Sequence, residues 1–247
     1  TTSYYKKKWS FNMTYNEFKK IKKNQEYFIT IDSSLVKGFM HYGEIFIPGK
    51  SKKEILFSTY ICHPSMANNE LSGPVVSIFL SKWLTKRNNN FSYRFIFIPE
   101  TIGSIYYINK NIRKLKQNVQ CIFNVNCVGD FKNTSFLGTK YGNLSIDKFV
   151  RNILKKNKIK FKEYKWKDRG SDERQYMSPG VEIPTVSLMS SKFKEYKEYH
   201  TSDDNLDFIS QKGLKKHYEI YKKIITDYEK LIFPKSRFVG EPQLGKR

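Results

Sequence analysis

The sequence predicts an α/β fold of three layers, with helices on both faces of a mostly parallel or mixed central sheet. Three observations predict it. Short apolar runs of strand length, Ile55-Leu56-Phe57, Tyr93 to Ile98 and Val119 to Val128, are separated by segments with helical periodicity. Each run leads into polar residues suited to chemistry: His63, Glu100, and the pair Asn126 and Asp130. The chain has 247 residues, 39% of them hydrophobic and 16% aromatic, enough to bury one sizeable core.

Residues 1–50 read as a β-rich lobe. Lys6, Lys7 and Lys8 precede an aromatic strand start at Trp9-Ser10-Phe11. Thr14 to Lys23 fits a short helix with Thr14 as N-cap and Phe18 and Ile21 on one side. Tyr27 to Ile31 alternates as a strand would, and Gly38 and Gly43 punctuate a hairpin-like region whose return strand is Glu44 to Ile47. His41 lies there as a strand-surface residue.

Residues 51–247 read as the main α/β domain. Pro74 to Leu84 carries Val75, Val76, Phe79, Leu80 and Trp83 at helical spacing. Thr101 to Asn109 and Ser145 to Lys156 are further helices, and Phe161 to Trp166 and Ile183 to Leu188 further strands. The last helix spans Gln211 to Phe233, with a packing face of Leu214, Tyr218, Tyr221, Ile225, Tyr228 and Ile232 and with His217 as a structural residue beside it.

Composition excludes several classes. No run approaches the length of a membrane span, and no signal peptide is visible. Cys62, Cys121 and Cys127 are odd in number, lack framework spacing and read as buried thiols, which points to a reducing, cytoplasmic setting. The net charge of +22 is mostly lysine, spread along the chain without an arginine-rich patch, and argues against a nucleic-acid partner while leaving an anionic substrate open. The absence of a starting Met and the polar terminal GEPQLGKR suggest a piece of a longer chain.

The stretch Ser58 to Gly73, STYICHPSMANNELSG, organises the rest. It leaves a strand, places His63 near its end and opens a helix, and open α/β sheets bind ligands at such corners. A hydrolytic metal site needs neutral imidazoles, carboxylates, a position for water and a base near that water. His63 and His200 are the best imidazoles, and Glu100 at a strand end suits a base, although it could equally cap a helix or support a ligand. The polar segment Gly170 to Tyr176 and the loop Tyr199 to Asp204 lie between or beside these groups. Asp130 could serve the site or the turn after Gly129, and Asp203 and Asp204 fit caps of the turn after His200.

HPSMANNELSG, PETIGS, NCVGD, GSDERQY and EYHTSDDNLD together resemble the aminopeptidase-like domain of bacterial polysaccharide-biosynthesis loci, a relative of the zinc-dependent exopeptidases with co-catalytic metals. The resemblance runs from about Tyr4 to Arg247 and implies a zinc-exopeptidase-like fold. It implies that residues 1–50 are the end of an inserted lobe and that the chain continues, often toward a winged-helix module. It places His63 and His200 on metal-histidine positions and Glu100 on the general base. Asn69 falls on the bridging aspartate, Thr101 on a metal glutamate and Asn126 on a metal aspartate. An amide is a poor bridge for two dications about 3.5 Å apart, so one zinc ion is expected rather than two.

His63, His200 and Asn69 would then hold the ion, with a carboxylate from Asp172, Glu173, Asp130 or Glu70. Asp172 is favoured, because the exopeptidases place a Ser-Asp motif close to the site. Glu70, Asp130, Glu173, Arg174 and Tyr176 are the expected substrate contacts, with Arg174 and Tyr176 suited to an anionic or polar group. The implied substrate is a small peptide-like, aminoacyl or sugar-linked molecule, cleaved at an amide or acyl bond. The alternative is a non-catalytic binding or regulatory protein on the same fold, for which the missing carboxylates speak.

Overall fold

The computed structural model describes residues 8–34, 36–231, 240 and 245. Seven strands form one mixed sheet in the order β1-β3-β2-β4-β7-β5-β6. They are β1 (Gly43–Ile47), β2 (Glu54–Tyr60), β3 (Ser92–Ile98), β4 (Val119–Asn124), β5 (Ser135–Leu137), β6 (Lys162–Tyr164) and β7 (Thr185–Met189). The central run β3-β2-β4-β7 is parallel, with antiparallel joins at β1 and between β5 and β7. Every residue of β2 is buried, as expected of a parallel strand covered on both faces.

Alternate side chains of the central strands sort into two cores. Phe95, Phe57 and Phe123 stack across β3, β2 and β4 at 4.8 and 5.2 Å, and Tyr221 of α6 (Gln211–Tyr228) meets Phe57 and Phe123 edge-on. Val76 and Leu80 of α2 (Ser72–Leu84) and Val150 and Leu154 of α4 (Ser145–Lys156) join that face. Leu56, Ile96, Ile98 and Ile122 point the other way, against Tyr107, Ile108 and Leu115 of α3 (Ile102–Asn118). Burying one Phe or Leu contributes about 1.5–3 kcal/mol. The stacked rings therefore hold the sheet and α6 as one unit.

This arrangement puts a reversal of strand order at β2. The β2–α2–β3 connection crosses one face, and β3–α3–β4 returns over the other to the far side of β2. The carboxyl ends of β2, β3 and β4 thus gather at this switch point, where open α/β sheets place their ligands. Helix α2 sits tight against it: a side chain at Gly73 would lie 2.4 Å from both Thr59 Oγ1 and the Val125 carbonyl. Arg94 of β3 is buried and pairs bidentately with Glu54 of β2, with Nε 2.6 Å and Nη2 3.0 Å from the carboxylate, and also reaches Glu44 of β1. Breaking such a buried pair costs about 3–5 kcal/mol.

Several elements differ from the sequence reading. Among described residues 8–42 the only regular element is α1 (Tyr15–Phe18), closed by a Thr14–Glu17 capping box, and every described residue there is exposed. Tyr27 to Ile31 is not a strand, because alternation without a partner edge or a face to bury does not hold one. The expected return strand exists as β1, but it pairs with β3 in the main sheet. Helix α3 runs nine residues beyond Asn109, to Asn118, with Leu115 buried. Strand β4 ends at Asn124, before Cys127 at φ 51°. Strand β5 was not anticipated, and a short helix α5 (Glu173–Tyr176) stands in the segment read as polar loop. Lys6, Lys7, the expected helix end at Ile232 and Phe233, and most of GEPQLGKR lie outside the described residues.

Candidate metal centre

After β2 the chain passes Cys62 and His63 and enters a π-helical turn, Ala67–Leu71, that leads into α2. The N–H groups of such a first turn lack intrahelical partners. Here Asp204 supplies them: its carboxylate accepts from Asn68 N at 2.6 Å and Asn69 N at 3.0 Å, and its carbonyl from Ala67 N at 2.9 Å. Asn68 Oδ1 in turn accepts from Gly129 N and Asp130 N at 2.8 and 3.1 Å. These bonds lock the His63 corner, the end of β4 and the His200 loop together.

His63 is half-buried at the centre. Its Nδ1 lies 3.3 Å from Cys62 Sγ and 3.4 Å from Glu70 Oε2, and its Nε2 lies 3.8 Å from Glu100 Oε2. The Glu70 carboxylate also accepts the His63 backbone N–H. The Cys62 sulfur accepts the Glu100 backbone N–H at 3.1 Å. The His63 and His200 rings are 5.1 Å apart, and His200 stacks on Tyr199 at 4.0 Å. Four non-glycine residues at this corner have left-handed backbone: Ser65, β-branched Thr101, Cys127 and His200. Backbone strain of this kind gathers at functional sites.

The electrostatics favour positive charge at the His63 ring. Cys62 first and Glu70 second hold its pKa up to about 10, against burial. Burial and the neighbouring His63 lower that of His200. Burial raises that of Glu100, so its carboxyl group holds a proton more readily than a surface glutamate.

The structure brings His63, His200, Asn69, Glu70 and Glu100 together. Asn69 is buried; its Oδ1 accepts from Tyr60 Oη at 3.0 Å, and its Nδ2 lies 3.5 Å from His200 Nε2. Asp172 stands behind this group: Oδ1 accepts from Thr101 N and Ser104 Oγ, both at 2.7 Å, while Oδ2 has no hydrogen-bond partner. Burial pushes its pKa up to about 7. Arg174 is exposed, with Nη2 3.2 Å from Thr101 Oγ1. Asn126 is fully buried with neither side-chain atom hydrogen-bonded.

Asp130, Glu173 and Tyr176 are buried inside the fold, with polar atoms taken up by other partners. Asp130 accepts from Ser190 Oγ, Ser191 N and Ser191 Oγ, Lys132 N and Asn68 Nδ2. Glu173 accepts from Gly170 N, Ser171 N and Asn124 Nδ2, and Tyr176 is fully buried against Ser58 Oγ at 2.8 Å. Asp204 is a long-range clamp on the turn before α2 rather than only a local cap. Cys62, read as a buried packing thiol, is exposed, whereas Cys121 and Cys127 are buried. The reason is local: β2 ends at Tyr60, so the strand alternation does not extend to residue 62. Its signal in the sequence was its adjacency to His63. Among the described residues, Cys62, His63 and Glu70 form a group with three ligand atoms within 4.8 Å of one another.

The domain of unknown function DUF4910 matches residues 10–230. A protein of Clostridium acetobutylicum, named for polysaccharide biosynthesis with an aminopeptidase-like domain, is 42% identical over 251 residues, 100% of this chain and 56% of that protein. A crystal structure from the same organism, described as a peptidase, is 41% identical with a TM-score of 0.86, over 99% of this chain and 58% of its own. A zinc aminopeptidase of Bacillus subtilis shares the fold at 18% identity and a TM-score of 0.63, over 77% of this chain and 50% of its own. The chain thus spans a little over half the length of the two Clostridium acetobutylicum relatives. Fold and similarity define an aminopeptidase-like domain, related in architecture to the zinc exopeptidases. The chain belongs to the DUF4910 family. No helix among the described residues is long and apolar enough to cross a membrane.

Proposed function

We propose that this chain is a single-zinc, aminopeptidase-like hydrolase acting on an amide or acyl bond of an intermediate in surface-polysaccharide biosynthesis, in the cytoplasm. The observation that carries the reading is the convergence of His63, His200 and Glu100 at the strand-order reversal. The donor set fits one ion. His63 and a buried carboxylate, Glu70, stand together, with the His200 ring 5.1 Å from that of His63, whereas Asn69 accepts from Tyr60 through its oxygen and turns its amide nitrogen to His200. Zinc held there would polarise the scissile carbonyl and make bound water a nucleophile near neutral pH.

The chain's own residues supply the rest. Glu100, with its raised pKa, takes the proton of the attacking water at Oε2 and passes it to the leaving nitrogen or oxygen. His63 beside it, with Nε2 3.8 Å from Glu100 Oε2, holds that carboxylate at the site. Arg174, exposed at the rim beside Thr101, accepts an anionic or polar substrate group. Polysaccharide biosynthesis enters from the name of the Clostridium acetobutylicum relative.

Protein purified without chelator should carry about one zinc per chain, and Glu100→Gln should retain it while lowering turnover of aminoacyl and acylamino sugars on the order of 100-fold or more. Unchanged turnover removes Glu100 as the base, and a metal-free chain sinks the reading. A second reading is favoured by Asn69, Thr101 and Asn126, the three positions where the exopeptidase resemblance expects carboxylates. In that reading the chain binds an aminoacyl or sugar ligand in the same cleft without cleaving it, and ligand binding without turnover by the zinc-loaded protein would support it.

A further inference from the structure

We propose that Cys62, His63 and Glu70 form the metal-binding core of this corner, so that the ion carries a thiolate ligand. The inference rests on reading the corner as a metal site, and not on hydrolysis. Tetrahedral zinc with Zn–N of about 2.05 Å, Zn–S of about 2.3 Å and Zn–O of about 2.1 Å requires N···S and N···O separations of about 3.6 and 3.4 Å. His63 Nδ1 lies 3.3 Å from Cys62 Sγ and 3.4 Å from Glu70 Oε2, so both edges are already close to what an ion needs. The three donors sit within 4.8 Å of one another.

The surroundings suit a thiolate more than a packing thiol. Cys62 is exposed, which gives an ion a path of entry. Its sulfur accepts the Glu100 backbone N–H at 3.1 Å, just before α3 begins at Ile102. That N–H fixes the sulfur in place beside the His63 ring. Asp204 holds the turn that carries Glu70, and Glu70 is itself fixed by the His63 backbone N–H, so the donors are positioned before an ion arrives. Binding releases the thiol proton to solvent and leaves the fourth position for water or His200. His63 Nε2 then faces Glu100 Oε2 at 3.8 Å, so that carboxylate orients the ring from the side away from the ion. A sulfur, nitrogen and oxygen set selects zinc or cobalt(II) over magnesium or manganese.

The test is cobalt(II) loading of the full chain, read by near-ultraviolet absorption. The wild-type protein should show a sulfur-to-cobalt charge-transfer band that Cys62→Ser abolishes. The same substitution should lower zinc affinity on the order of 100-fold, at least the loss seen when supporting groups around a metal are removed. Cys62 is exposed, so an unchanged urea midpoint verifies that the variant is folded. Cobalt bound without the band, or a band that survives Cys62→Ser, overturns the assignment while leaving a single-metal hydrolase standing. A chain that takes up no metal overturns both. A thiolate band without turnover of any amide or acyl substrate upholds this site and removes the hydrolase.

Discussion

Two carboxylate-rich regions lie on either side of the π turn, and they are built differently. On one side Asp130 and Asp204 are buried and surrounded by neutral donors: Asp130 accepts from Ser190, Ser191, Lys132 and Asn68, and Asp204 from Asn68, Asn69 and, at 3.4 Å, Tyr196. On the other side Glu70 and Glu100 face an imidazole, with a thiol between them. Carboxylates whose lone pairs are filled by N–H and O–H donors are scaffold. Carboxylates gathered on one histidine beside a sulfur are the ones the proposed metal site draws on. Burial alone does not separate the two, since Glu70 and Asp204 are both buried.

The largest expected effect that tests this contrast is on the scaffold side. Asp204→Ala leaves the N–H groups of Asn68 and Asn69 unpaired in the interior and should cost about 3–5 kcal/mol in urea unfolding. A loss below about 1 kcal/mol would show that Asp204 is not the clamp.

The next effect is an acid dependence behind the same region. His217 of α6 is buried, with Nδ1 3.3 Å from the Gly213 carbonyl, and burial lowers its pKa from 6.5 to about 4. The unfolded chain therefore binds this proton more readily between pH 6.5 and about 4. Its contribution is unaffected above pH 6.5, falls as pH drops through that window, and levels off below about 4, a loss of about 3 kcal/mol. His217→Gln should flatten this part of the stability profile. An equally steep profile in the variant would assign the dependence to other groups.

The smallest effect is expected on the other side. Glu70→Gln keeps an oxygen for the His63 N–H and should lower the unfolding free energy measured in urea by no more than about 0.5 kcal/mol, while metal affinity falls sharply. A large loss of stability with unchanged metal binding would place Glu70 with the scaffold and erase the contrast.

Much of this was legible in the residues. The apolar runs of β2, β3 and β4 announced buried strands, and the residues following them, His63 and Glu100, do meet in space at 3.8 Å. The polar segment containing Asp172 and Glu173 was equally suggestive in sequence, yet Asp172 caps the backbone at Thr101 and Glu173 closes its own turn. Residues 8–42 show the same limit for structure. Their apolar residues alternate in places, but Phe28 and Phe39 are over nine-tenths exposed, and alternation holds no strand without a surface to bury it.

By itself the sequence determined the α/β class, the core strands and the histidine pair. Hydrophobic periodicity and strand-end polarity are local properties, and local properties can be read one residue after another. Only the tertiary structure decided which carboxylates have filled lone pairs and which face His63. That depends on partners brought from far along the chain, such as Asp204 to Asn68, and on the end of β2 at Tyr60, which turns Cys62 outward beside the histidine.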